Sequence, residues 1–189
     1  MPYYRSAGTF PAKRHVAFEL PDGTACFEEF IGEEGFSSTG SLLYHRRVPS
    51  ALVRTRTWHL ADQTLVPNLP LGPRHFKAPA LFETGNAERD AVRSRRLVLG
   101  NSDVRISYVA CEAPSPLYSN GVGDEVIFVE AGAATLETIF GAIEVRQGDN
   151  VVIPRVTIHR WIPRETETLG PLRLLCVEAS GHVQPPEKH

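Results

Sequence analysis

Cysteine is scarce. There are three in 189 residues, Cys26, Cys111 and Cys176, far apart and without a C-x-x-C pair. An odd, scattered set excludes a disulfide framework and a zinc ribbon, and the expected setting is a reducing one, the cytoplasm. An excess of charge is missing too. Twenty Lys and Arg against 22 Asp and Glu leave a formal charge of -2, which gives no drive toward DNA or anionic lipid. No aromatic platform interleaved with lysines argues for single-stranded nucleic acid. Long apolar runs are also absent: MPYYRSAGTF at the start lacks a signal-peptide core, and no stretch approaches the ~20 apolar residues of a membrane helix. Neither nucleic acid nor membrane is therefore an expected partner. What remains is ordinary for a soluble globular chain, 42% hydrophobic and 22% charged, and long enough to bury roughly 70% of its unfolded surface without staples.

The chain divides by texture. Residues 1–60 read as an N-terminal β-hairpin with extended strands: His15 to Leu20 and Thr24 to Phe30 flank the turn Pro21-Asp22-Gly23, and Leu42 to Val48 looks extended after a loop at 32–41. That loop, G-F-S-S-T-G, lacks the G-x-S-x-G order of a nucleophile elbow, so its hydroxyls are expected to bond nearby backbone. Residues 61–92 form a proline-rich arm with Pro67, Pro70, Pro73 and Pro79, where only Asn86 to Val92 could make a short helix. Leu65, Val66, Leu69, Phe76 and Leu81 in this arm call for burial, which predicts a packed arm. From 93 to 180 the pattern becomes alternating. Strands are expected at Arg96–Leu99, Val104–Ala110, Val126–Glu130, Ala134–Phe140, Ile143–Arg146, Val151–Ile153, His159–Ile162 and Leu172–Val177, separated by glycine and charged turns. Short strands at this spacing predict an all-β sandwich or jelly roll. Residues 181–189 read as the start of a linker. The basic pairs Lys13-Arg14, Arg46-Arg47 and Arg95-Arg96, with Glu28-Glu29 and Glu33-Glu34 nearby, read as solvated faces, an anionic ligand being the alternative.

The candidate site lies in Tyr118 to Pro163, which opens on one carboxylate, Glu125, and closes near one imidazole, His159. This stretch resembles the two motifs of the cupin superfamily, G-x5-H-x-H-x(3 or 4)-E-x6-G and G-x5-P-x-G-x2-H-x3-N. Glu125 and Gly132 fit the end of the first motif, but its histidine pair falls on Tyr118 and Asn120. Gly148, Pro154 and His159 fit the second, whereas Val156 stands at its second glycine and Pro163 at its last position. The resemblance implies a cupin-type double-stranded β-helix, a jelly-roll barrel that commonly holds a metal. A non-haem iron site wants two imidazoles and a carboxylate on one face, with positions left open. Here one of each remains, so Tyr118, Asn120, Glu125 and His159 are expected to form a degenerate pocket without metal, in which His159 bonds to Glu125 or to a backbone carbonyl. Glu125 and His159 are weak candidate ligands, with His45, His59 or His75 as donors from elsewhere in the alternative of a small metalloenzyme.

The wording of the chain is more specific. MPYYRSAG, KRHVAF at 13–18, EEFIGEEGFSSTGSLLYHRRVP at 28–49, GNSDVRISYV at 100–109, APSPLY at 113–118, VGDEVIFVEAG at 122–132, LETIFG at 136–141, GDNVVIPRVTIHRW at 148–161 and LRLLCVEASGHVQPP at 172–186 resemble the N-terminal half of the homogentisate 1,2-dioxygenase family. That resemblance implies an iron(II)- and oxygen-dependent ring-cleaving enzyme of tyrosine and phenylalanine breakdown, turning homogentisate into maleylacetoacetate. It also implies a small aromatic substrate, a homo-oligomer, and iron ligands and catalytic residues in a C-terminal half that this sequence does not contain. The chain alone is thus expected to be inactive and to bind no iron. A stand-alone, metal-free cupin that binds a small molecule or a partner subunit is the competing expectation.

Overall fold

The computed structural model describes residues 12–13, 17–32, 35–37, 40–60, 62–81, 89–164 and 170–184. The chain separates into two compact units, residues 1–58 and 59–189.

In the first unit, strands β1 (Phe27–Gly32) and β2 (Gly40–His45) pair antiparallel, from Phe27 opposite His45 to Gly32 opposite Gly40. The hairpin therefore lies one element later than the sequence suggests. Around Pro21-Asp22-Gly23 there is a single bridge, Glu19 to Ala25, closed by the Leu20 amide on the Thr24 carbonyl at 2.7 Å. The longer ladder wins because β1 and β2 exchange partners over six residues and the turn at 21–23 over one pair. The expected strand at Leu42 to Val48 begins earlier and stops at His45. His15, Glu33-Glu34 and Ser38-Thr39 lie outside the described residues.

The second unit opens on the proline-rich arm, which is irregular apart from a 3-10 turn at Ala78–Leu81. Its predicted packing fails at Leu65, Val66, Leu69 and Phe76, while the side chain of Leu81 lies outside what is described. Val66, Leu69 and Phe76 are 81%, 77% and 56% exposed, and Leu65 is also open to solvent. Prolines at 67, 70, 73 and 79 keep the segment out of a ladder, so nothing orders these apolar residues onto one face, whereas Ala91 at the end of the arm joins the barrel core and Ala78 packs against it. The helix expected at Asn86 to Val92 is not formed in its described part, where Ala91 to Ser94 is a turn; residues 86–88 are not among those described.

From Arg96 onward the alternation holds. Strands β3 (Arg96–Gly100), β4 (Val104–Cys111), β5 (Glu125–Ala131), β6 (Ala133–Thr138), β7 (Gly141–Arg146), β8 (Asn150–Ile153), β9 (His159–Pro163) and β10 (Leu172–Ala179) match the predicted strands within a few residues. They form two antiparallel sheets, ordered β3-β4-β10-β5-β8 and β7-β6-β9. The chain leaves the first sheet after β5, makes β6 and β7 in the second, and then crosses back and forth as β8, β9 and β10. That shuttling is the winding of a double-stranded β-helix, a jelly-roll barrel of the cupin type. The fold is all-β, with no α-helix among the described residues.

The crossing from β5 to β6 takes one residue, Gly132, at φ +82°. A side chain there would place its Cβ 2.9 Å from Leu172 Cα, so the corner needs glycine for both its angle and its space. Strand alternation then fills the barrel. Ile127 and Val129, Leu172 and Leu174, Ala134 and Leu136, and Trp161 point inward and are almost fully buried.

Candidate functional site

The same alternation that fills the core aims polar groups into one end of the barrel. Glu125 shares parity with Ile127 and Val129, Glu178 with Leu174 and Cys176, and His159 with Trp161. In the β5–β10 register Glu125 lies directly opposite Glu178. Two carboxylates facing each other across a strand pair repel, so the arrangement requires a cation.

Arg95 supplies it. One terminal guanidinium nitrogen is 2.9 Å from Glu125 Oε2, the other is 2.9 Å from Glu178 Oε1, and Nε donates to the Ala91 carbonyl at 2.9 Å. The guanidinium carbon also lies 5.7 Å from the Tyr118 ring centroid. Arg95 is 4% exposed, so the reading of Arg95-Arg96 as a solvated pair is corrected: Arg96 faces solvent and Arg95 is buried. The preceding turn explains its placement. Buried Asp90 accepts the Val92 amide at 2.9 Å and the Arg93 amide at 2.8 Å, fixing residues 90–93 so that the Ala91 carbonyl meets the guanidinium.

The four residues singled out in the sequence do come together. Asn120 donates from Nδ2 to Glu125 Oε1 at 3.2 Å, while its own oxygen accepts the Val122 amide at 2.9 Å. Tyr118 and His159 form an antiparallel bridge, exchanging backbone hydrogen bonds of 2.9 Å, and their rings meet edge to face at 5.6 Å. Of the two partners expected for His159, the backbone carbonyl is the one observed: Nδ1 is 3.0 Å from the Thr157 oxygen. A carbonyl only accepts, so Nδ1 carries the proton and Nε2 presents a lone pair. That Nε2 atom is buried and has no hydrogen-bond partner.

The electrostatics follow from these contacts. Burial pushes the Glu125 carboxyl upward, but the Arg95 guanidinium, helped by His159 and Asn120, outweighs it and holds the group below the ordinary carboxylate value. Burial lowers the His159 pKa despite the Thr157 bond and the Glu125 charge, which favours the neutral imidazole. Burial also works against the Arg95 charge, yet Cys176, Glu125 and Glu178 overcome it and raise its pKa well above the usual value. Tyr118 is raised chiefly by burial and next by Glu125, so its phenol stays protonated.

A loop beside the pocket carries backbone strain. Val156, at the motif position where a glycine is the pattern, has φ +60°. A β-branched residue there is a genuine outlier, held in place by its amide donating to the Asn120 carbonyl at 2.7 Å. Asp124, next to Glu125, is buried and ties down two further segments, accepting the Arg155 amide at 2.8 Å and the Val183 amide at 2.7 Å. A cleft of about 250 Å3 opens over the cluster, with Tyr118, Asn120, Glu178, Ser102 and Ser180 among its lining residues.

These residues do not fit a metal ion. His159 offers a well-oriented nitrogen, but both Glu125 oxygens are engaged, one by a fixed cation. Among the described residues no group of three or more His, Cys, Asp or Glu is arranged to hold one. Of the donors considered from elsewhere, His45 bonds Glu29 at 2.7 Å within the first unit, and His59 and His75 are exposed. Sequence reasoning missed Arg95, Glu178 and Asp90. Counting the parity of β10 from Leu172 would have found Glu178; no pattern flags Arg95, which lies between a turn and β3.

No family model matches the chain. A protein of Saccharolobus solfataricus named as a "putative dioxygenase" is 31% identical over 163 residues, covering 84% of this chain and 41% of that protein. The chain thus spans about two fifths of the length of the curated relative it matches. Among solved structures, a cupin superfamily protein of Desulfitobacterium hafniense is 17% identical with a TM-score of 0.46, covering 61% of this chain and 98% of that one. A cupin-2 domain protein of Shewanella frigidimarina is 20% identical with a TM-score of 0.43, covering 53% and 86%. No helix among the described residues is long and apolar enough to cross a membrane.

Proposed function

We propose that this chain is the non-catalytic, scaffolding half of an iron-dependent ring-cleaving dioxygenase of the homogentisate 1,2-dioxygenase kind, working in the cytoplasm as part of a homo-oligomer. The observation that carries this reading is the fate of Glu125. The one carboxylate that a metal-binding barrel would use is instead committed to Arg95 and Asn120, so this barrel is built for shape and the chemistry falls to a second one. Dioxygenase relatedness over 84% of the chain, with more than half of the relative's length unmatched, supports the same division of labour. Iron(II) and the aromatic substrate would then be held by residues outside this chain, and no catalytic role is assigned to Tyr118, Asn120, Glu125 or His159.

The test is reconstitution. The chain is titrated anaerobically with iron(II) and assayed for oxygen uptake with homogentisate, alone and joined to the C-terminal half of such a dioxygenase. The expected result is no tight iron and no turnover alone, with turnover when the two halves are joined. Tightly bound stoichiometric iron with turnover by this chain alone refutes the proposal, as does a C-terminal half whose activity is indifferent to it. The cleft over Tyr118, Asn120 and Glu178 favours a second reading, a metal-free barrel that binds a small molecule; saturable binding without any effect on the joined enzyme would select it.

A further inference from the structure

We propose that the Arg95 guanidinium is the resident cation of this barrel, taking the place and charge of a divalent ion and closing the pocket to metals. Three independent observations converge on it. First, the β5–β10 register sets Glu125 and Glu178 directly opposite each other on the inward face, an arrangement that holds together only around a positive charge. Second, the guanidinium divides itself between them, with one nitrogen on each carboxylate at 2.9 Å, and is anchored from behind by the Ala91 carbonyl. It bridges the two strands as a bound ion would. Third, His159 presents a buried Nε2 lone pair with no donor, its ring fixed by the Nδ1 bond to Thr157. A backbone-oriented imidazole with its second nitrogen bare is how a metal-ligating histidine is held.

The charge count agrees. Two carboxylates against one guanidinium and a neutral imidazole leave the cluster with one uncompensated negative charge, which a divalent ion in the guanidinium's place would cancel. The pocket therefore prefers a cation of either kind, and the tethered one wins because it is covalently present at high effective concentration and already desolvated. This inference stands on the pocket's geometry and holds whichever reaction the complete protein performs.

The experiment uses the whole chain and cobalt(II), read by visible absorption and by thermal unfolding. The wild type is expected to show no saturable cobalt signal. Arg95→Ala removes the guanidinium, and it is expected to bind cobalt(II) saturably and to unfold at a higher temperature with it than without it. Adding Glu125→Gln to that variant should abolish both effects. Methylguanidinium at millimolar concentration serves as the control for an intact cavity. If Arg95→Ala is unfolded without additives, it is refolded with each cation in turn. Rescue by cobalt(II) supports the proposal. Rescue by methylguanidinium alone, or by neither ion, overturns it, and so does stoichiometric cobalt binding by the wild type. No oxygenase activity is read, so failure here leaves the dioxygenase reading to its own test.

Discussion

Replacing Arg95 by methionine keeps the length of the side chain and removes the charge. Glu125, fully buried, loses its cation and keeps the Asn120 amide, which carries no charge, while Glu178, 12% exposed, can turn toward water. Breaking a buried pair by deleting one partner costs about 3–5 kcal/mol, because an uncompensated charge stays behind. The Ala91 carbonyl loses its donor as well, but that turn remains capped by Asp90. Glu125→Gln is milder, since the amide still accepts a bond and Arg95 retains Glu178, and the loss of one charge-assisted bond is worth about 1.5–3 kcal/mol. The double variant Arg95→Met with Glu125→Gln leaves no buried unpaired charge at position 125. Its cost should fall short of the sum of the single costs by at least about 1.5 kcal/mol.

The assay is urea unfolding followed by Trp161 fluorescence. The chain has two tryptophans, Trp58 in the first unit and Trp161 fully buried in the barrel, so a Trp58→Phe background makes the signal specific to the barrel. Far-UV circular dichroism of the same samples tests for a single transition. A cost below about 1 kcal/mol for Arg95→Met, or strict additivity with Glu125→Gln, would refute the reasoning, because it would mean that Glu125 is not a buried charge held by this pair.

Three further outcomes follow from the same geometry. His159 has a pKa lowered by burial, so the unfolded chain takes up its proton first as pH falls; its neutral form stabilises the fold fully above about 6.5, and that contribution is lost below it. Glu125, also lowered, adds a second loss only as pH drops below the ordinary carboxylate range, and His159→Gln should flatten the first limb while leaving the second, as read by unfolding at stepped pH. Val156→Gly should stabilise the barrel by about 0.5–1 kcal/mol, since relief of a left-handed valine outweighs the extra freedom of glycine in the unfolded chain; a destabilised variant in urea would show that the loop is not strained. In the native protein, the half-buried Cys26 should react with a thiol reagent well before the others, because burial raises Cys111 strongly and pushes Cys176 up to about 12; peptide mapping of the labelled chain checks the order.

What the sequence made legible was whatever strand alternation carries. Parity set the inward faces of β5, β6, β9 and β10, and with them the convergence of Glu125 and His159; glycine at 132 marked the corner between sheets. The arm broke the rule that apolar residues go inside, because Leu69 and Phe76 sit between prolines and have no ladder to orient them. Arg95 was illegible for a different reason. It lies just after a turn and before β3, where no period applies, and its burial depends on Asp90 capping that turn and on two strands far apart in sequence bringing Glu125 and Glu178 face to face. Yet a trace of it was there to be read. Once β10 is paired beside β5, parity places two carboxylates inside the barrel with no basic residue of matching parity on either strand. Charge balance then demands a cation from outside those strands, and Arg95, between the turn at 91–94 and the start of β3, is the residue that supplies it.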